Sequence, residues 1–202
     1  MDQPLMPIAV FLSGGGRSLA NLIEAKTRGS LHVEFRLVIS SSDNARGVEI
    51  AQDAGIETRI VRKKDYPSAL DYSEAMFQPC REKSTDLVVM AGFLKHVLIP
   101  ADHENRVLNI HPSLLPSFGG EGMYGHHVHE AAIQKGVKVS GCTVHYVDNQ
   151  YDNGPILHQR TCPVLAADDA NSLAKRVFEQ ECLALPEAIQ LHHTRWVNNH
   201  QP

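Results

Sequence analysis

The chain has 202 residues, 43% of them hydrophobic and 21% charged, which suffices to bury one sizeable core and favours a single domain spanning 1–202. Its formal net charge is −4 and its pI is near 6.3, so it lacks the basic field that a long nucleic-acid backbone requires. No tRNA or DNA partner is expected, though a small anion could still be held locally.

The N-terminal stretch MDQPLMPIAVFLSGGG carries Asp2 and no basic residue ahead of a short apolar run that ends in glycines. It predicts no signal peptide, and no later stretch reaches membrane-spanning length, so a cytoplasmic location without a membrane partner is expected. Apolar runs of strand length follow at PIAVFLS (7–13), EFRLVIS (34–40), TRIVR (58–62), DLVVMAG (86–92) and RVLNI (106–110). Helical segments are predicted at 17–28, 46–54, 67–82 and 125–136, the last ending at a C′ glycine, Gly136. Strands alternating with helices are the signature of parallel β-α-β units whose two sheet faces are both covered.

The rhythm then changes. KVSGCTVHYV (138–147) and PILHQRTCPV (155–164) read as two strands joined by DNQYDNG, whose Asn153-Gly154 is a turn signal, and a hairpin-like excursion is expected. The tail predicts one long closing helix, capped by Asp169 or Asn171, with apolar spacing through Leu173, Val177, Leu183 and Ile189 and a kink or break at Pro186. The fold class is therefore α/β: a Rossmann-like, mostly parallel twisted sheet flanked by helices, with a C-terminal antiparallel excursion and a long closing helix. Cys80, Cys142, Cys162 and Cys182 form no C-x-x-C pair and read as scattered buried thiols in a reducing compartment, not as a redox or zinc motif.

Three features carry chemistry. Gly14, Gly15 and Gly16 join the first strand directly to a helix, and the free N–H groups of a helix start, with Arg17 as a charged fork and Ser18 as a hydroxyl donor, suit a phosphate. Leu19 stands where a dinucleotide fingerprint needs a small residue, SSSD replaces the ribose-binding acid, and the Lys of a Walker loop is absent; the bland alternative is a tight β-α turn. Asn109 and His111, two apart at the end of a strand that Pro112 terminates, project to one face at the carboxyl edge of the sheet. An amide and a protonated imidazole together can stabilise an oxygen that gains negative charge in acyl transfer, and Asp152 is the candidate carboxylate that keeps the imidazole charged and accepts a proton. Asn-x-His also arises by chance, and Asp before Asn-Gly also serves turns. His126, His127 and His129 lie near Glu121 and Glu130 but lack a metalloprotease pattern, so no metal is expected and pocket-lining polar residues are; His192 and His193 read as solvated surface groups.

FLSGGGRSLANLIEA, VVMAGFLKHV, NIHPSLLPSF, HVHEAAI and SGCTVHYVDNQYDNGPI together resemble the phosphoribosylglycinamide formyltransferases, within the folate-dependent formyltransferase superfamily, over nearly the whole chain. The resemblance implies formyl transfer from 10-formyltetrahydrofolate as co-substrate to the amine of glycinamide ribonucleotide in purine biosynthesis. A monomer or homodimer is expected, the sequence leaving the choice open. It places the catalytic roles on Asn109, His111 and Asp152. It puts the ribonucleotide phosphate at Gly14, Gly15, Gly16, Arg17 and Ser18, and the ribose at Glu181. Folate contacts fall on Leu94, Lys95, His96 and Val97, with Tyr146 and Val147 opening the opposite wall. Many relatives carry Ser-Asn at Arg17-Ser18, an aliphatic residue at His96 and a shorter loop than SFGGEGMYGHH (117–127), which is read here as a glycine-hinged lid. The hydrolases and methionyl-tRNA formyltransferases of the superfamily carry further domains, which are not expected in a chain of this length. 10-Formyltetrahydrofolate hydrolysis, sugar-amine formyltransfer, or a non-catalytic folate- or nucleotide-binding module stays open.

Overall fold

The computed structural model describes residues 4–200; Asp2, in the segment read against a signal peptide, lies outside the described residues. Seven strands form one sheet in the order β3-β2-β1-β4-β5-β6-β7. They are β1 (Met6–Leu12), β2 (Val33–Ser40), β3 (Thr58–Ile60), β4 (Leu87–Met90), β5 (Val107–His111), β6 (Val139–Tyr146) and β7 (Ile156–Pro163). The helices are α1 (Arg17–Thr27), α2 (Arg46–Asp53), α3 (Ala69–Glu82), α4 (His126–Lys135) and α5 (Ala170–His200). β1 to β5 pair in parallel, whereas β6 runs antiparallel to both β5 and β7, as the change of rhythm predicts.

All seven residues of β1 are buried because both faces of the sheet are covered. Met6, Ile8, Val10 and Leu12 belong to one core, Ala9 and Phe11 to the other, the period-2 alternation of a central strand. α1 and α5 supply Leu19, Leu22, Leu173, Val177 and Ile189 to the first core; α3 supplies Tyr72, Met76 and Phe77 to the second. Each such side chain stabilises the fold by about 1.5–3 kcal/mol relative to exposure. β4 is shorter than predicted: it stops at Met90, and Gly92 takes a left-handed φ of 73° that turns the chain out of the sheet.

Asp169 caps α5 by accepting from Ser172 N at 2.8 Å, so of the two candidate caps it is Asp169 that serves. The helix does not break at Pro186. Proline lacks the donor that would bond the carbonyl of Cys182, and Asn21 of α1 fills the gap, its Nδ2 donating to that carbonyl at 2.7 Å. His193 is not a solvated group. It is 1% exposed, and its Nε2 donates to the Pro4 carbonyl at 2.7 Å. The ring of His192 is half-buried, with Nδ1 2.9 Å from the Tyr146 hydroxyl. Leu185, Ile189 and His193 stand four apart, so the histidine continues the buried stripe of the helix. Cys80, Cys142 and Cys162 are buried and Cys182 half-buried, all as free thiols.

Candidate active site

Strand order reverses at β1 and β4, and the loops leaving their carboxyl ends diverge to open a crevice there. Ser13, which follows β1, ties neighbouring loops together: its Oγ lies 2.7 Å from Ser41 Oγ after β2 and accepts from Leu94 N after β4 at 2.9 Å. The crevice is a cavity of about 470 Å³ lined by the glycine turn after β1, residues 90–97, the end of β5, the loop 120–126 and the helix α5 at Ala174, Phe178 and Glu181.

β5 delivers Asn109 and His111 to this cavity while Ile110 turns into the core, as the strand period requires. Asp152 arrives from the loop between β6 and β7, and its backbone takes the left-handed conformation at φ 52°. The DNG turn therefore differs from a simple Asn-Gly hairpin. Gly154 is needed for close approach, since a Cβ there would strike the Tyr146 carbonyl, and the positive φ falls on Asp152 itself.

His111 Nε2 donates to the Phe118 carbonyl at 2.8 Å, and Nδ1 faces Asp152 Oδ2 at 3.4 Å. A carbonyl only accepts, so Nε2 keeps its hydrogen and Nδ1 is the position that gains or loses a proton. Burial pulls the His111 pKa below the ordinary imidazole value, with the Asp152 carboxylate and the Phe118 carbonyl opposing it. Burial would raise the Asp152 carboxyl, but His145, the charge of His111 and the Gly120 N–H, which donates at 3.0 Å, hold it below the usual carboxylate range. Asp152 is thus an anion beside an imidazole poised to become charged when negative charge develops nearby.

His145 is a residue the sequence reading missed. It pairs across strands with Asn109, its Nδ1 donates to the Tyr146 carbonyl at 2.9 Å, and its Nε2 accepts from Asn109 Nδ2 at 3.2 Å. That fixes the amide with one Nδ2 hydrogen still directed elsewhere. The signal lies in register: two strand residues can face one another only once the β5-β6 pairing is known. Phe118 and Gly120 escaped notice because they act through backbone atoms.

Gly16 precedes α1 with φ 70°, and Gly47 N donates to the Gly14 carbonyl at 3.1 Å, which holds the turn against α2. Gly14, Gly15, Gly16, Arg17, Ser18 and Glu181 line the same cavity. Burial pushes the Glu181 carboxyl up to about 7, against the pull of the Arg17 charge.

Residues 6–189 match the formyl transferase family. The chain belongs to this family. It is 41% identical to the chloroplastic phosphoribosylglycinamide formyltransferase of Vigna unguiculata over 91% of its own length, and spans 59% of that relative. It is 34% identical to the phosphoribosylglycinamide formyltransferase of Escherichia coli (strain K12), covering 91% of this chain and 85% of that one. The crystal structure of glycinamide ribonucleotide transformylase 1 from Symbiobacterium toebii superposes with a TM-score of 0.86 at 34% identity, covering 94% of this chain and 88% of that one.

Among the positions that family resemblance implies, this formyl transferase brings Leu94, Lys95, His96, Val97 and Val147 to the cavity wall. The His96 ring packs on Tyr151, centroids 4.8 Å apart, and joins the segment after β4 to the loop that carries Asp152. Tyr146 does not line the cavity. Strand alternation sends its side chain to the opposite face, into the first core, with its hydroxyl at His192. Tyr146→Phe is accordingly expected to lower unfolding stability by about 1 kcal/mol, measured by urea denaturation, without altering the cavity wall.

His126 and His129 line the cavity, and His127 faces out beside Glu130 at 3.3 Å. Burial drives the pKa of His129 down to about 4, the neighbouring His126 and His111 adding to the effect, so its ring is neutral at physiological pH. Among the described residues no cluster of three or more His, Cys, Asp or Glu is arranged to hold a metal. No helix among them is long and apolar enough to cross a membrane.

The raised Glu181 pKa gives a signed expectation. A folded-state value of about 7 against 4.5 unfolded contributes stability that is full below pH 4.5 and is lost as pH rises through 7. Solvent reaching the cavity face reduces the effect, so Glu181→Gln should equal the parent near pH 4 and exceed it by about 1–2 kcal/mol at pH 8 in urea denaturation.

Proposed function

We propose that this chain, acting as one domain, transfers the formyl group of 10-formyltetrahydrofolate to the amine of glycinamide ribonucleotide, a step of purine biosynthesis. The convergence of Asn109, His111 and Asp152 on a cavity that also holds a glycine turn carries this reading, because it sets an acyl-transfer centre beside an anion cradle. The phosphate rests at Gly14 to Ser18 and the ribose at Glu181. The pterin lies between residues 94–97 and Val147.

In this mechanism the amine nitrogen attacks the formyl carbon and forms the new C–N bond. The oxygen becomes an oxyanion held by the uncommitted Asn109 Nδ2–H and by His111 Nδ1–H, whose ring the Phe118 carbonyl keeps in place. The amine proton passes to Asp152, directly or through water, and on to N10 of the folate as the old C–N bond breaks.

The test is to incubate the pure protein with 10-formyltetrahydrofolate, with and without glycinamide ribonucleotide, and follow loss of the formyl group. Loss only with the amine present is the expected result. Loss without it would replace the transferase by a hydrolase, and no loss in either would leave a binding module.

A further inference from the structure

Arg17 is the first residue of α1, and Phe178 and Glu181 stand three apart on α5, one turn of the same helical face. All three line the cavity next to the glycine turn. The Arg17 guanidinium lies over the Phe178 ring, its Cζ 4.0 Å from the centroid. Arg62, Arg81 and Arg176 are each clamped by carboxylates, whereas no ion pair of Arg17 occurs among the described residues.

The difference has a chemical consequence. A salt bridge consumes the N–H donors of a guanidinium, while stacking on an aromatic face uses its π surface and leaves the donors at its edge free. The stack also fixes a long flexible side chain before any ligand arrives, so less freedom is lost on binding. Arg17 opens α1, so its donors and the free backbone N–H groups of that helix start belong to one turn of chain, and both favour an anion.

Resting on the formyl-transfer reading above, we propose that Phe178 is a positioning residue whose ring holds Arg17 over the glycine turn to bind the phosphate monoester of the amine substrate. Phe178 does not touch the reacting atoms. It sets the affinity for the phosphorylated amine and leaves folate and the chemical step untouched.

Ribose 5-phosphate is the probe, titrated calorimetrically into the whole protein and its variants. Phe178→Leu, which keeps apolar bulk but removes the π face, should weaken binding about 3- to 10-fold. Phe178→Tyr, which restores the face, should bind within about twofold of the parent, and Arg17→Ala should weaken binding more than Phe178→Leu does. In an Arg17→Ala background, Phe178→Leu should add nothing, since the ring acts through the arginine. In turnover, Phe178→Leu should raise the KM for glycinamide ribonucleotide by the same factor, with kcat and the folate KM unchanged.

Equal losses from Phe178→Leu with and without Arg17, or a Phe178→Tyr variant as weak as the leucine one, would overturn the proposal. So would a parent protein that ignores ribose 5-phosphate. If the Phe178 and Arg17 dependence appears in the titration but no formyl group reaches glycinamide ribonucleotide, the positioning role stands and the assignment of the acceptor fails.

Discussion

Replacing His111 by alanine is expected to lower kcat for formyl transfer by about a thousandfold or more, with folate affinity retained. In the proposed mechanism the ring contributes at both nitrogens. Nε2 anchors it to Phe118, and Nδ1, facing Asp152, is to present a hydrogen to the oxyanion. An alanine removes a donor whose interaction strengthens only as charge develops, so kcat falls while ground-state binding does not. Asp152→Asn tests the same centre without emptying it. The amide can still accept from Gly120 N, but it no longer opposes the burial that depresses the His111 pKa, and it takes up no proton. Its kcat should fall by about a hundredfold or more, and the remaining activity should shift to lower pH, where the imidazole can still be charged. Single-turnover kinetics across pH measure both effects. Parent-like turnover in either variant would remove the mechanism.

The second large effect is expected at the glycine turn. Gly16→Ala should destabilise the protein by about 3 kcal/mol and raise the KM for the ribonucleotide well above that for folate. Gly16 holds φ 70°, which costs an alanine about 1–2 kcal/mol, and its new Cβ would land on the Gly47 Cα, backbone against backbone. Gly47 cannot retreat easily, because Leu12 Cδ2 lies 2.6 Å from where its own Cβ would be and its N–H bonds the Gly14 carbonyl. The turn must shift, and the cradle built on it shifts too. Urea denaturation and substrate KM values on one preparation separate the two consequences. Unchanged stability would mean that the Gly16–Gly47 contact does not hold the turn in solution.

The alternation of apolar strands with helical segments predicted the parallel half of the sheet because each β-α unit is written in local periodicity. The same holds for the Gly136 C-cap, the Asp169 N-cap and the antiparallel pair β6-β7. Pro186 misled as a possible break because local rules count the missing hydrogen bond and cannot know that Asn21, more than 160 residues away, supplies a substitute. His192 and His193 misled in the same way: two adjacent polar residues near a chain end look solvated until the register of α5 against the sheet is known.

At the site, Asn109 and His111 were legible because a strand period of two and a following proline put both on one face at the sheet edge. Asp152 was legible as a candidate only, since the loop that carries it had to be folded back across β5 to reach His111. His145, the Phe118 carbonyl and the Gly120 N–H were not legible at all. The first depends on the cross-strand pairing of β5 with β6, and the other two are backbone atoms that any residue possesses. The SFGGEGMYGHH loop thereby gains a partial account: its first residues pin His111 and Asp152, and the glycines at 120, 122 and 125, all at positive φ, carry the chain along the cavity.

By itself the sequence determined the α/β class and the placing of Asn109 and His111 together at the carboxyl edge of the sheet, because those depend on periodicity and on what glycine and proline can do. Only the tertiary structure decided which nitrogen of His111 is committed, that Tyr146 faces the core, and that Phe178 stacks on Arg17. Each of these is a contact between segments distant in the chain, set by strand register and helix packing.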